Sequence, residues 1–126
     1  MFSHIMVGAN DIQEAKQFYD ATFGALGHGP GRVDDKERCF YMADGGIFAI
    51  GKPIDNGPAC HGNGSTFGFV AADAAAVDAW QAAGIANGGT ACEEPPGVRE
   101  GGAGKMYLAY LRDPSGNKLC AMYRMG

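Results

Sequence analysis

Basic residues are scarce in this chain and nowhere gathered. Ten Lys and Arg face fourteen Asp and Glu, for a net charge of −4 at pH 7. A surface that neutralises phosphates needs a surplus of Lys and Arg on one face, so nucleic acid is not expected as a partner. Long apolar runs are missing too. None approaches the roughly 20 residues of a membrane helix, and the first residues have neither the basic start nor the apolar core of a signal peptide. The expectation is a cytoplasmic protein with no membrane association. Paired cysteines are also absent. Cys39, Cys60, Cys92 and Cys120 are scattered without a Cys-x-x-Cys motif, which suits neither a zinc site nor a disulfide framework and leaves four reduced thiols.

What is present points to a folded domain. Hydrophobic residues make up 46% of the 126 and charged residues 19%, a globular balance at the size of one ordinary domain. The 21 glycines are about twice the usual share. Most fall where strands would turn, as in Asp44-Gly45-Gly46 and Gly62-Asn63-Gly64.

Residues 3–18 organise the rest, because they return 62 positions later as residues 65–80. Ser3 meets Ser65, Ala9 meets Ala71, Asp11 meets Asp73 and Phe18 meets Trp80. Each copy reads as a short apolar strand, an Asp N-cap, and a helix with an aromatic in its second turn. Aspartate suits that corner because its carboxylate accepts the free N–H groups of the first helical turn. A repeat of about 60 residues, present twice, is a duplicated half-domain and not a solenoid unit.

In the first half, residues 2–8 read as a strand with His4, Met6 and Gly8 on one face. A helix follows over 12–23, its Ile12, Ala15, Phe18 and Tyr19 forming one stripe, and Gly24 and Gly27 stop it. Extended stretches are predicted at 28–34, weakly, then at 38–43 and 46–51, the last two joined by the turn dipeptide Asp44-Gly45. Residues 52–64 hold Pro53, Pro58 and three glycines and read as the linker. The second half repeats the order: a strand over 65–71, a helix over 74–83 ended by Gly84, a short extended piece at 90–93, and strands at 106–112 and 118–124. A Gly-rich, charged loop is expected over 95–105, and its Gly101-Gly102-Ala103-Gly104 run is not a phosphate loop, since no Lys-Ser/Thr follows.

The result is a single α+β domain of two βαβββ modules, about 1–54 and 65–126, whose sheets form a curved, half-open mixed surface with the helices outside. Its concave side is the natural ligand site.

That paired order resembles the vicinal-oxygen-chelate superfamily, which includes glyoxalase I, bleomycin-resistance proteins and extradiol dioxygenases. The resemblance is carried by the opening Ser3-His4-Ile5-Met6-Val7-Gly8-Ala9-Asn10-Asp11, by Phe18-Tyr19 on the first helix, and by the turn Asp113-Pro114-Ser115-Gly116-Asn117 before an apolar strand. It covers almost the whole chain. Metal-dependent members place a His on the first strand of each module and a Glu on the fourth. Carried onto this chain, those positions fall on His4, Ala49 or Ile50, Thr66 and Cys120. The resemblance therefore implies a small-molecule cleft without the family's metal, and a homodimer, since many relatives pair. A divalent ion held through His4 is the alternative.

The candidate ligand-binding residues are His4, Met6, Met42, Phe48, Thr66, Tyr107, Cys120 and Met122. Methionines and aromatics give an adaptable apolar lining. His4 can donate or accept a hydrogen bond through its imidazole nitrogens. Thr66 can hydrogen-bond but is a poor zinc or iron ligand. Cys120 is a small strand hydrophobe or, if paired with His4 across the cleft, an activated thiol. Arg99, in the long loop, is either solvated or offered to an anionic group. His28 and His61 are expected to be exposed. Three functions stay open. One is a metal-free binder. The second is a metal-dependent glyoxalase-like lyase (lactoylglutathione lyase type), in which the ion polarises a carbonyl. The third is a metal-independent enzyme using His4 or Cys120.

Overall fold

The computed structural model describes residues 1–102 and 104–126; Ala103, inside the glycine-rich run, lies outside them. Module one is β1 (His4–Gly8), α1 (Ile12–Ala25), β2 (Arg32–Val33), β3 (Cys39–Ala43) and β4 (Gly46–Gly51). Module two is β5 (Phe67–Val70), α2 (Ala74–Ala86), β6 (Thr90–Ala91), β7 (Gly97–Gly101), β8 (Gly104–Arg112) and β9 (Lys118–Arg124). The first sheet runs β1-β4-β3-β2 and the second β5-β9-β8-β6, with β7 also on β8. In both, the opening strand lies parallel to the closing strand and every other pairing is antiparallel.

The repeat is a repeat of geometry. Asp11 and Asp73 both cap their helices, accepting from Glu14 N at 3.1 Å and Ala76 N at 2.8 Å. Ala9 and Ala71, just past the opening strands, both donate their N–H to the closing strand, to Gly51 O and Met122 O at 2.9 Å each. Phe18 and Trp80 are both fully buried.

The inner faces of the two sheets and both helices share one core. Phe69 of β5 lies 4.9 Å from the Phe23 ring and 5.3 Å from Phe48, so module two packs directly against module one. A polar clasp closes the other side. Tyr19 on α1 donates to Asp113 Oδ2 at 2.5 Å, and Asn117 Nδ2 donates to the same oxygen at 2.8 Å and to Gly8 O at 3.0 Å. The turn between β8 and β9 is thereby tied to α1 and to the end of β1.

Four elements differ from expectation, two of them for a non-local reason; α1 runs two residues past its expected end, through Gly24. α2 continues through Gly84, expected to stop it, because Gly84 sits under the side chains that pack on the helix. A Cβ there would lie 2.3 Å from Leu111 Cδ1 and 3.1 Å from Phe18 Cε2. The helix closes later, with Gly89 N bonded to Gly84 O at 2.8 Å and Gly88 at φ 94. The expected loop at 95–105 contains a strand, β7, paired along the free edge of β8. Module two thus has four strands after its helix, β6 and β7 sharing the edge one strand takes in module one. The weak segment at 28–34 shrinks to the two residues of β2.

Gly84 yields a test. In an ordinary helix interior Gly→Ala stabilises by about 1 kcal/mol. Here overpacking against Leu111 outweighs that gain, and Gly84→Ala should destabilise by about 1–2 kcal/mol. Chemical denaturation gives the sign directly; a stabilised variant would mean that Leu111 and Phe18 yield freely.

Candidate functional site

Strand alternation gives each sheet a face turned away from the helices. On the first sheet this open face carries His4 and Met6 of β1, Phe40 and Met42 of β3, and Ile47 and Ala49 of β4, which the register sets side by side. On the second it carries Gly68 and Val70 of β5, Cys120 and Met122 of β9, and Met106, Leu108 and Tyr110 of β8. Thr66 stands just before β5 and is exposed. His4, Met6 and Met42 therefore belong to one open face, and Cys120 and Met122 to the other. No hydrogen-bonded pairing joins β1 to β5; each is the outermost strand of its own sheet.

Phe48 and Tyr107, expected to line the cleft, point the other way. Phe48 is buried in the shared core, and Tyr107 packs on that core with its hydroxyl donating to Asp78 Oδ1 on α2 at 2.8 Å. Single-residue alternation decides this: each follows and precedes an open-face residue along its strand and so faces the helices. Phe48 does border a cavity of about 230 Å³ where the modules meet, lined also by Ile5, Phe23, Phe69, Val70 and Met42. His28, expected in solvent, is half-buried there with its ring 6.0 Å from Phe23; His61 is exposed.

Three apolar residues of the open faces are unusually bare. Met6 is 48% exposed, Met42 66% and Val70 84%. His4 is exposed as well, its Nδ1 2.8 Å from Ser3 Oγ. Cys120, by contrast, is only 4% exposed. Burial, with Glu93 nearby, pushes its thiol up to about 11, so it stays protonated at neutral pH and an activated His4–Cys120 pair is not formed in the chain. The neighbours acting on Cys120 are Glu93, Lys118 and Tyr110.

The donor chemistry does not fit the divalent ion of metal-dependent relatives. Among the described residues, no three His, Cys, Asp or Glu side chains converge on one point. At the corresponding positions stand one imidazole, an alanine or a core isoleucine, a threonine and a protonated thiol. Zinc and iron sites need several nitrogen, thiolate or carboxylate ligands.

Sequence reasoning missed a polar group on the second open face. Lys118 Nζ is ion-paired with Glu93 and lies 4.9 Å over the Tyr110 ring. Alternation along β9 puts Lys118 on the same face as Cys120; Glu93, from the segment before β7, has no local pattern that places it there.

Known structures share this fold. A glyoxalase/bleomycin resistance protein from Albidiferax ferrireducens T118 is 60% identical, with 98% of this chain and 99% of that one aligned at a TM-score of 0.95. A glyoxalase-related enzyme from Fulvimarina pelagi (19% identity, 98% and 88% coverage, TM-score 0.75) and a lactoylglutathione lyase from Agrobacterium tumefaciens (21%, 98% and 92%, 0.66) share the fold. No curated protein matches in sequence. Residues 1–121 match the profile of one family over nearly the whole chain. The chain belongs to the Glyoxalase/Bleomycin resistance protein/Dioxygenase superfamily.

Proposed function

We propose that this protein is a metal-independent small-molecule binder that works as a homodimer, each site built from the first open face of one copy and the second open face of its partner. One observation carries the reading: both open faces bear apolar side chains left bare, Met6 and Met42 on one and Val70 on the other, beside outermost strands β1 and β5 that pair on one side only. An unpaired strand edge beside exposed apolar surface favours association. Setting β1 of one copy along β5 of the next would bring His4, Met6 and Met42 opposite Thr66, Cys120 and Met122. The enclosed space would be apolar, with His4 and Thr66 supplying directional hydrogen bonds to a ligand.

A lyase reaction of the kind named for the Agrobacterium relative asks for more. Polarising a carbonyl needs a bound cation, and moving the proton needs a base. The dimer adds only Cys120 to His4 as a donor.

Light scattering at micromolar concentration should give twice the 13.1 kDa chain mass. Elemental analysis of the purified protein should find no stoichiometric zinc, iron or nickel, and added Zn²⁺ or Ni²⁺ should not produce glyoxalase activity. His4→Ala should weaken ligand binding and leave metal content unchanged. A monomer mass removes the shared site, and one tightly held metal per chain, lost in His4→Ala, restores the metal-dependent enzyme.

A further inference from the structure

Leu108 and Cys120 lie on the face of the second sheet turned away from the helices, yet they are only 3% and 4% exposed. On the same face Val70 is 84% exposed. The segment 92–96 links β6 to β7 along the free edge of β8. Within it Glu93 takes a left-handed backbone conformation, φ 59, and its carboxylate crosses β8 to meet Lys118 on β9. Glu93 is thereby held close to Tyr110 and Cys120.

The groups gathered there suit an anion. The Lys118 ammonium stands over the Tyr110 ring. Arg99, half-buried on the same face opposite Met106, folds back toward the segment. Its guanidinium donates to Pro95 O at 2.9 Å and to Val98 O at 3.3 Å. Among the described residues it meets no carboxylate, which leaves donors of its planar fork unused. Both cations act on the Tyr110 hydroxyl, as does Glu93. Glu94 forms no ion pair among the described residues. Two cations and one phenol over an apolar floor are therefore answered by one internal carboxylate.

We propose that this patch recognises the acidic group of a small organic anion, a carboxylate or sulfonate on a ring-sized apolar body, and that Glu93 occupies the place of that group until the ligand displaces it from Lys118. This rests on the reading of the protein as a small-molecule binder and names the ligand class. Lys118 and Arg99 hold the acid group, Tyr110 offers a hydroxyl and a ring face, and Met106 and Met122 receive the apolar body. The Glu93–Lys118 pair is partly exposed, with side chains 45% and 23% accessible. Such pairs are worth at most about 1 kcal/mol, weak enough for a ligand to break.

The test compares two fluorescent probes sharing one ring system, 8-anilinonaphthalene-1-sulfonate and the uncharged N-phenyl-1-naphthylamine. Glu93→Gln should bind the sulfonate about fivefold tighter than the unmodified protein, the equivalent of releasing a competitor worth about 1 kcal/mol. Binding of the neutral probe should stay within about twofold. Adding Lys118→Gln or Arg99→Gln to Glu93→Gln should remove the gain for the sulfonate alone. Equal tightening of both probes would show that the substitution only bares apolar surface, and unchanged sulfonate binding would show that Glu93 is no competitor; either overturns the proposal while the small-molecule reading stands. Failure of both probes to bind any form would overturn that reading, and this one with it.

Discussion

Asp113→Ala should cost about 3–5 kcal/mol of stability, one of the two largest losses expected from a single substitution in this chain. Asp113 is 5% exposed and its two oxygens accept four hydrogen bonds. Oδ1 takes the N–H groups of Ser115 and Asn117, both at 2.9 Å. Oδ2 takes the Tyr19 hydroxyl at 2.5 Å and Asn117 Nδ2 at 2.8 Å. Alanine would leave all four donors without this acceptor, three of them on residues of the turn and one on a fully buried tyrosine. A buried donor left without a partner costs about 1–3 kcal/mol, reduced where water can enter the gap. Burial, and then the Asp113 charge beside it, hold the Tyr19 hydroxyl well above its usual range, so Tyr19 keeps its proton and donates it to Asp113. Tyr19→Phe removes one of the four donors and should cost about 1–2 kcal/mol. For a chain of this length about 4 °C of Tm corresponds to 1 kcal/mol, so calorimetry separates the two variants. Equal small losses would mean that solvent reaches the turn and replaces the carboxylate.

Trp80→Ala is the second large effect, at about 3–5 kcal/mol. Trp80 is 0% exposed and stands where α2 meets the second sheet, so truncation leaves a cavity that the glycine-marked contact around Gly84 cannot close. Trp80→Phe divides the cost into its parts. The indole Nε1 is buried with no hydrogen-bond partner among the described residues, and an unsatisfied N–H is itself unfavourable by about 1–3 kcal/mol. Phenylalanine loses some indole volume but removes that donor, so its net cost should fall to about 1–2 kcal/mol. Denaturant titration of both variants gives the comparison. A Trp80→Phe loss as large as that of Trp80→Ala would mean that the indole N–H is satisfied by water.

The duplicated framework was legible because its determinants are local. Asp11 and Asp73 cap helices within three residues of themselves. The Ile12, Ala15, Phe18, Tyr19 stripe needs only the helical period to declare a buried face, and Asp44-Gly45 needs only a turn. Residues with local roles can be read in order along the chain. Gly84 shows the limit. Its sequence signal is that of a helix stop, yet Leu111 and Phe18, each from a different element, make it a contact point inside the helix.

The candidate site was half legible for the same reason. Strand alternation places His4, Met6 and Met42 on one open face and Cys120 and Met122 on another, given only correct strand phases. Phe48 and Tyr107 were assigned by aromatic character and not by phase, and the phase sends them into the core. β7 and the segment 92–96 were opaque, since Gly97 and the charges of 97–101 carry no strand pattern. That segment is extended because β8 has a free edge with backbone groups to satisfy, and an edge belongs to the assembled sheet. The sequence by itself determined the two modules, their caps and the apolar faces that must be buried, all set by interactions between residues a few positions apart. Only the tertiary structure decided which faces stayed open, that Glu93 crosses a strand to reach Lys118, and that burial keeps the Cys120 thiol protonated. Those depend on which distant backbone edges and side chains meet, and no local pattern encodes that.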